Sequence, residues 1–232
     1  LLRTLANFMV HIPNDPTREK AGWTQDFESS FFPTVYNFNA ATLYGKWQRD
    51  FLDIIHPNGY MPPVAPGRFD GPTINGPWWG GVVVYAPWWL YELYGDREIL
   101  AESYPAMKAQ FGYLRRIATN NIVSWGLGDW MEVGSVRPKR TPIPLTSTCV
   151  YYWFACILRD TATLLGKPDE ARQFAAAATE IRAAYNREFF NPETGDYASG
   201  SQTSQLLSLV FGLVPDEKRE LVLRRLAERI AK

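Results

Sequence analysis

The stretch Gly166-Lys167-Pro168-Asp169-Glu170 stands between two long runs of apolar residues at helical spacing, Pro144 to Leu165 and Pro168 to Phe189. Gly166 is a helix stop, and the acidic residues that follow favour the positive N-terminus of the next helix. A connection this short joins antiparallel neighbours. The stretch therefore predicts a helix hairpin.

The same combination recurs at Tyr94-Gly95-Asp96-Arg97-Glu98 and at Leu213-Val214-Pro215-Asp216-Glu217. The first helix of a hairpin is poor in charge, as in Val82 to Leu93, whereas the second is amphipathic and charged, as in Lys218 to Arg229. This difference separates inner helices from outer ones.

Apolar residues follow helical spacing along nearly the whole chain, and no run alternates as a strand for more than a few residues. The predicted fold class is therefore all-α. Helices are predicted at Leu1 to Val10, Pro33 to Ile55, Trp79 to Tyr94, Asp96 to Thr119, Pro144 to Leu165, Pro168 to Phe189, Ser201 to Gly212 and Pro215 to Ala231.

Longer loops rich in Pro, Gly and aromatic residues join one hairpin to the next: His56 to Trp79, Asn121 to Pro144 and Phe190 to Ser201. Such loops on a helical scaffold usually carry function. The pattern predicts one domain over residues 1–232, an α/α toroid whose loops build a cleft. Unequal loops and the lack of a fixed repeat period argue against an open helical solenoid.

Charge is balanced, with 24 basic against 24 acidic side chains, so no field attracts polyanions or anionic lipid. Nucleic acid and membrane are therefore not expected as partners. Gly71 to Tyr91 is the longest uncharged stretch, but its prolines and glycines exclude a membrane span. The sequence does not indicate an oligomeric state.

Cys149 and Cys156 lie seven residues apart on one predicted helix, roughly 10 Å from each other. They cannot pair with each other and are interpreted as small core residues. Because His11 and His56 are isolated in the sequence, no zinc cluster is predicted. No metal or other cofactor is expected.

Nine tryptophans are present. An exposed indole face is a common platform for the C–H face of a sugar ring, although core filling explains any single tryptophan equally well. The tryptophans therefore point to a carbohydrate ligand only in combination with other signals.

The most informative segment for function is His11 to Asp26, which reads as a turn followed by the start of a helix. Read structurally, Asp15 caps a helix and Pro16 takes its first position. Under that interpretation Glu19, between Arg18 and Lys20, is a solvated surface charge.

The string from Pro16 to Asp26 also resembles the signature of bacterial α-L-rhamnosidases, Asp-Cys-Pro, any residue, Arg-Glu-Lys, any residue, Gly-Trp-Thr-Gly-Asp. The resemblance covers nearly the whole chain. Further matches keep the family's order: Asp50 to Pro66 around Asn58-Gly59-Tyr60-Met61-Pro62, Pro87-Trp88 to Gly95-Asp96, Gly128-Asp129-Trp130, and Thr194 to Gly212 with Ser201-Gln202-Thr203.

The resemblance implies a six-hairpin barrel that hydrolyses terminal α-L-rhamnosyl bonds of rhamnose-containing glycans or glycosides with inversion. Glu19 matches the family's general acid. Burial among aromatic rings and repulsion from Asp26 would keep its proton near neutral pH. The sugar-binding positions that the resemblance implies are Arg18, Asp26 and Asp129 for the hydroxyls and Trp23, Trp78 and Trp130 for the pocket wall.

The chain also departs from the family pattern. The family's first aspartate aligns with Asn14 and its cysteine with Asp15, so the expected carboxylate is either neutralised or shifted by one residue. The family often has an aspartate after the Trp-Gly of its second loop, where this chain reads Trp78-Trp79-Gly80-Gly81. Asp129 has an alternative interpretation as a turn or helix-cap residue.

The family's water-activating glutamate lies near a Thr-Thr-any-Trp-Glu motif, and no such string occurs before Lys232. We therefore expect a partial barrel of about four hairpins, inactive by itself, whose general base is not in this chain. No signal peptide is visible at Leu1, so localisation stays open.

Three alternatives remain at this point. The same scaffold could cleave a different terminal sugar, since a fold does not fix a substrate. A non-catalytic relative could bind glycans through its tryptophans without turnover. A helical toroid acting on isoprenoids would need aspartate-rich metal motifs or a zinc cluster, which the sequence lacks.

Overall fold

The computed structural model describes residues 21–67 and 71–231. Across these residues the regular structure is helical, and β-pairing is confined to isolated bridges. The α-helices are α1 (Gln25–Val35), α2 (Ala41–Ile54), α3 (Pro77–Gly80), α4 (Val82–Tyr94), α5 (Arg97–Ile117), α6 (Ile143–Leu164), α7 (Pro168–Phe189), α8 (Gln202–Val210) and α9 (Arg219–Ile230), with short 3-10 turns at Pro72–Ile74 and Asp216–Lys218.

The predicted single helix from Pro33 to Ile55 is wrong. Pro33 lies in the last turn of α1, and α2 begins at Ala41. The turn between them is closed by the Phe38 N–H, which donates to Thr34 O (2.8 Å), and by the Asn37 amide, which donates to Pro33 O (2.7 Å). The helix breaks here at a turn that contains asparagine and no glycine. The apolar residues keep their helical spacing through this turn, so the sequence pattern did not reveal the break.

The predicted helix from Trp79 to Tyr94 is shorter than expected, because the chain bends at Gly81 between α3 and α4. A Cβ at Gly81 would lie 2.0 Å from Phe154 Cζ and 2.2 Å from Pro77 O. The bend therefore lets two backbone segments and a ring approach closely. The predicted helix Leu1 to Val10 lies outside the described residues.

The hairpin connections form as predicted. Gly95 (φ 68°) and Gly166 (φ 70°) end α4 and α6 in the left-handed conformation that glycine adopts without a steric penalty. Asp96 then caps α5, since its Oδ1 accepts the Ile99 N–H at 2.9 Å.

The described residues form four helix hairpins side by side. Helices α1, α4, α6 and α8 make a continuous row in which neighbours touch, and α5, α7 and α9 each pack against the helix that precedes them in their hairpin. Residues 82–87 of α4 are all buried, whereas α9 buries Val222 and exposes most of its charged side chains. The predicted division into inner and outer helices is confirmed.

The main core lies between the inner row and the outer helices. Phe27 of α1 contacts Tyr44 and Trp47 of α2, with ring centroids 4.8 and 5.3 Å away. A smaller cluster under the last two hairpins contains Tyr185, Leu213 and Val222. Cys149 is buried and Cys156 partly buried, both as free thiols on α6, as predicted. In the part of the chain that the structure describes, no helix is both long and apolar enough to cross a membrane.

Candidate active site

The described end of the signature is fixed by a short antiparallel contact with the loop that follows α2. Trp23 forms a β-bridge with Val64. The Thr24 N–H donates to Pro63 O (2.9 Å), and the Ala65 N–H donates to Gly22 O (2.8 Å). The buried Thr24 hydroxyl adds a bond to Pro63 O at 3.0 Å. Trp23 is therefore held on a backbone anchored at both sides, directly before α1.

Asp26 occupies the first turn of α1, where a carboxylate is stabilised by the helix dipole. Its side chain is partly buried, and its main-chain oxygen accepts the Ser30 hydroxyl at 2.6 Å. Asp26 therefore lies at the N-terminal end of the inner helix α1, where the signature ends. The candidates Asn14, Asp15, Arg18 and Glu19 lie outside the described residues.

Trp78 lies in α3, at the end of the long loop that contains the Asn58-Gly59-Tyr60-Met61-Pro62 match. The Trp78 carbonyl accepts the Tyr85 hydroxyl (3.2 Å). Its partly buried indole lies 6.3 Å from the Trp153 ring and 6.0 Å from the Phe211 ring. Trp78 therefore faces the inner helices rather than the outer ones.

Aromatic rings continue from Trp78 across every inner helix. Trp89 contacts Phe32 of α1 and Tyr85 of α4, with centroids 4.9 and 4.8 Å away. Tyr85 stacks on Trp153 of α6 (5.6 Å, 13°), and Trp153 contacts Phe211 (5.2 Å). We call this set the aromatic row: Phe32, Trp78, Tyr85, Trp89, Trp153 and Phe211.

Most rings of the aromatic row are only partly buried. Tyr85 is fully buried, but the other members are only partly covered. Partly exposed indole faces stack well on the C–H face of a sugar ring. The row therefore offers partly exposed aromatic faces on the inner helices.

The loop before α3 is locked by Asn75. Its side-chain amide donates to Tyr60 Oη (3.0 Å) and to Met61 O (2.9 Å), and its Oδ1 accepts the Gly76 N–H (2.7 Å). Asn75 is 1% exposed. Its three bonds hold the approach to Trp78 in one geometry.

We expect Asn75→Ala to lower the free energy of unfolding by about 2 kcal/mol, because Met61 O and the Gly76 N–H lose buried partners. The exposed Asn39 provides the matched control, and Asn39→Ala should change the stability little. Urea denaturation of the protein expressed from its complete gene measures both. Equal stability of the two variants would contradict the assigned role of Asn75.

Asp129 and Trp130 lie in the loop between α5 and α6. Asp129 Oδ2 accepts the Thr141 hydroxyl (3.2 Å), and the Thr141 and Ser201 hydroxyls are 2.8 Å apart. The side chain thus ties its loop toward the N-cap of α8, which matches the alternative interpretation of Asp129 as a structural residue. The Arg137 guanidinium lies 5.9 Å from the Trp130 ring centroid.

The structure brings some candidates together and keeps others apart. Gly76, which precedes α3, packs against Gly126, where a Cβ on Gly76 would lie 2.8 Å from Gly126 Cα. The loops that carry Trp78 and Asp129 are therefore neighbours. Within residues 21–67 and 71–231, however, Trp130 contacts Arg137 and not the rings of the aromatic row.

Sequence reasoning missed Glu28 and Tyr85. Glu28 Oε2 accepts the Gln25 amide at 3.1 Å, and burial raises the pKa of the Glu28 carboxyl. The pKa of Tyr85 is raised by its own burial first, then by the negative charges of Glu28 and Asp26. The sequence offered one signal, a carboxylate two residues beyond Asp26, but its effect on the pKa of Tyr85 follows only from the folded structure.

Residues 21–67 and 71–231 contain no group of three or more His, Cys, Asp or Glu side chains placed to hold a metal ion.

The sequence profile described as the bacterial alpha-L-rhamnosidase 6 hairpin glycosidase domain matches residues 2–232. The chain belongs to this family. Two curated relatives are α-L-rhamnosidases from Streptomyces avermitilis and an Alteromonas species. The first is 33% identical over 228 residues, covering 97% of this chain and 21% of the relative. The second is 31% identical over 222 residues, covering 89% of this chain and 24% of the relative.

Solved structures of rhamnosidases share the fold of this family member. An α-L-rhamnosidase from Dictyoglumus thermophilum has a TM-score of 0.89 at 32% identity, with 98% of this chain and 28% of that one covered. The Streptomyces avermitilis enzyme, solved with L-rhamnose, has a TM-score of 0.85 at 30% identity, with 95% and 21% covered. The all-α hairpin fold predicted from sequence is confirmed. The chain spans about a quarter of the length of the curated relatives it matches.

Proposed function

We propose that the protein carrying this rhamnosidase-family chain hydrolyses terminal α-L-rhamnosyl bonds with inversion of configuration, and that Glu19 is its general acid. The observation that carries the proposal is the anchored backbone of Gly22 to Thr24, which joins the signature to α1 beside the aromatic row. The L-rhamnose in a related structure supports the choice of sugar.

The chemistry needs a carboxylic acid that holds its proton near neutral pH and delivers it to the leaving oxygen. Glu19 lies three residues before Gly22 in the sequence. A second carboxylate activates water on the opposite face of the sugar. We propose no residue of this chain for that second role.

The remaining groups would bind the sugar. In this proposal Arg18 and Asp26 hold hydroxyls through directional, charge-assisted bonds, and either Asp15 or the neutral Asn14 adds a further hydrogen bond. Trp23 and Trp78 supply apolar surface for the ring and for the C6 methyl group of rhamnose, which a hydrophobic wall rewards. Asp129 and Trp130 lie on the loop before α6 and are further candidates for contacts to the sugar.

The test is hydrolysis by the protein expressed from its complete gene. We expect release of nitrophenol from p-nitrophenyl α-L-rhamnoside and little from the matching α-D-mannoside or β-D-glucoside. Proton NMR should show the β-anomer of L-rhamnose as the first product, because inversion converts the α-linkage.

Each other outcome contradicts part of the proposal. Faster release of mannose or glucose would indicate an exo-glycosidase of another specificity. First appearance of the α-anomer would contradict inversion. Rhamnoside binding without any turnover would indicate a non-catalytic sugar-binding protein.

A further inference from the structure

We propose that Glu28 is an additional sugar-binding residue, whose carboxylate accepts a hydroxyl group of the substrate at the aromatic row. This inference rests on the function proposed above and deepens it. It assigns a substrate contact to a position that the family signature, which ends at Asp26, does not include.

The first step is the direction in which Glu28 points. On α1, Phe27, Ser30, Phe31 and Thr34 form the buried face. At 100° per residue Glu28 lies beside that face, on the same side as Phe32, four residues later. The Phe32 ring packs on Trp89 of α4, with centroids 4.9 Å apart. Glu28 therefore lies on the side of α1 that meets the aromatic row.

The second step is the electrostatic effect of Glu28 on Tyr85 of α4. The charge of Glu28 acts on the hydroxyl of Tyr85, a fully buried member of the row, and does so more strongly than the charge of Asp26. The Tyr85 hydroxyl already donates to Trp78 O at 3.2 Å. Glu28, Tyr85 and the backbone of Trp78 thus belong to one neighbourhood.

The third step is the hydrogen-bonding capacity that the Glu28 carboxylate leaves unused. Within residues 21–67 and 71–231 its one hydrogen bond comes from the Gln25 amide, and no basic side chain pairs with it. A carboxylate offers about four acceptor positions. A partly buried carboxylate with a single neutral partner is costly unless a further donor is supplied.

The fourth step matches these groups with a ligand. A sugar presents apolar C–H faces and hydroxyl donors on the same ring, so it fits indole surface bordered by an unsaturated carboxylate acceptor. Hydrogen bonds to a charged acceptor contribute more than neutral ones. Glu28 therefore adds a hydroxyl acceptor on the side of the site formed by α1 and α4.

The decisive variant is Glu28→Gln in the protein expressed from its complete gene. Glutamine keeps the length of the side chain and can still accept the Gln25 amide, so a purely structural role would survive. We expect KM for p-nitrophenyl α-L-rhamnoside and the inhibition constant of L-rhamnose to rise about tenfold, with a smaller change in kcat. Glu217→Gln, at an exposed position, serves as the control.

Monodeoxy sugars test the contact itself. We compare methyl α-L-rhamnoside with its 2-, 3- and 4-deoxy derivatives as inhibitors of the unmodified protein and of the Glu28→Gln variant. One missing hydroxyl should weaken inhibition of the unmodified protein about tenfold yet hardly affect the variant, because the pair shares one interaction.

The outcomes separate this inference from the proposed function. If the unmodified protein cleaves rhamnosides and Glu28→Gln keeps KM and the inhibition constant within about twofold, well inside the loss expected for a charged hydrogen bond, Glu28 does not bind substrate. If each deoxy sugar loses equal affinity for both proteins, the contact is likewise excluded. If the unmodified protein cleaves no rhamnoside, the proposed function itself fails and this inference with it.

Discussion

Glu19→Gln is expected to lower kcat for methyl α-L-rhamnoside roughly 10²- to 10⁴-fold while changing L-rhamnose affinity little. Glutamine preserves the size of the side chain but has no acidic proton to give to the departing oxygen. A methoxide leaving group depends on that proton, whereas nitrophenolate departs more easily without it. The loss should therefore be much smaller for the p-nitrophenyl substrate.

Two measurements make this prediction specific to an acid role. Turnover is measured for both substrates, and L-rhamnose binding is measured by calorimetry. Glu98→Gln is the matched control, since Glu98 is exposed in the first turn of α5. Undiminished turnover of methyl α-L-rhamnoside by the Glu19 variant would remove Glu19 from the acid role. An equal loss for both substrates would indicate a misfolded site instead.

The order of the helices and their turns could be predicted from the sequence because the signals for helix starts and ends are local. Gly95, Gly166 and the acidic residues after them mark the ends and starts of helices within a few positions of one another. Apolar spacing then separates buried α4 from amphipathic α9. Neither step needs knowledge of what touches the helix from elsewhere in the chain.

The turn between α1 and α2 could not be read in the same way. Pro33 is typical of a helix start, yet the helix had begun eight residues earlier, at Gln25. The start of α1 is set by the contact between Gly22 to Thr24 and the loop 63–66, about forty residues away. A tertiary contact therefore overrode a local signal.

The candidate site shows the same difference between local signals and tertiary contacts. The signature named Trp23 and Asp26 because their order along the chain is distinctive. The aromatic row could not be predicted from sequence, since Phe32, Trp153 and Phe211 come from three distant segments of the chain and share no motif. Glu28 was missed for the same reason: its interest arises from Tyr85, which lies 57 positions away in the sequence and whose pKa is raised by the charge of Glu28 in addition to its own burial.

Gly22→Ala is expected to damage both the stability and the site of the protein, although it adds a single methyl group. A Cβ on Gly22 would lie 2.2 Å from Ala65 O and 2.6 Å from Ala65 C. Both are backbone atoms, so no side-chain rotation relieves the contact, and the two segments must separate. We expect a loss of about 3 kcal/mol in the free energy of unfolding.

The same substitution should also lower kcat/KM for rhamnosides by more than about tenfold in the protein that remains folded. Moving residues 22–24 away from 63–66 breaks the bridge between Trp23 and Val64, which holds the end of the signature beside α1. Urea denaturation measures the first effect, and initial rates at a temperature well below unfolding measure the second.

Gly45→Ala is the matched control, because a Cβ on Gly45 of α2 would have no heavy atom within 4 Å outside its own helix turn. Alanine in a helix interior should raise the stability there by about 0.5–1 kcal/mol. The two substitutions add the same methyl group and should change stability in opposite directions. If Gly22→Ala instead kept both stability and turnover, the close approach of the signature to the loop 63–66 would be wrong, and with it the way in which the fold fixes Trp23 and Asp26 at the start of α1.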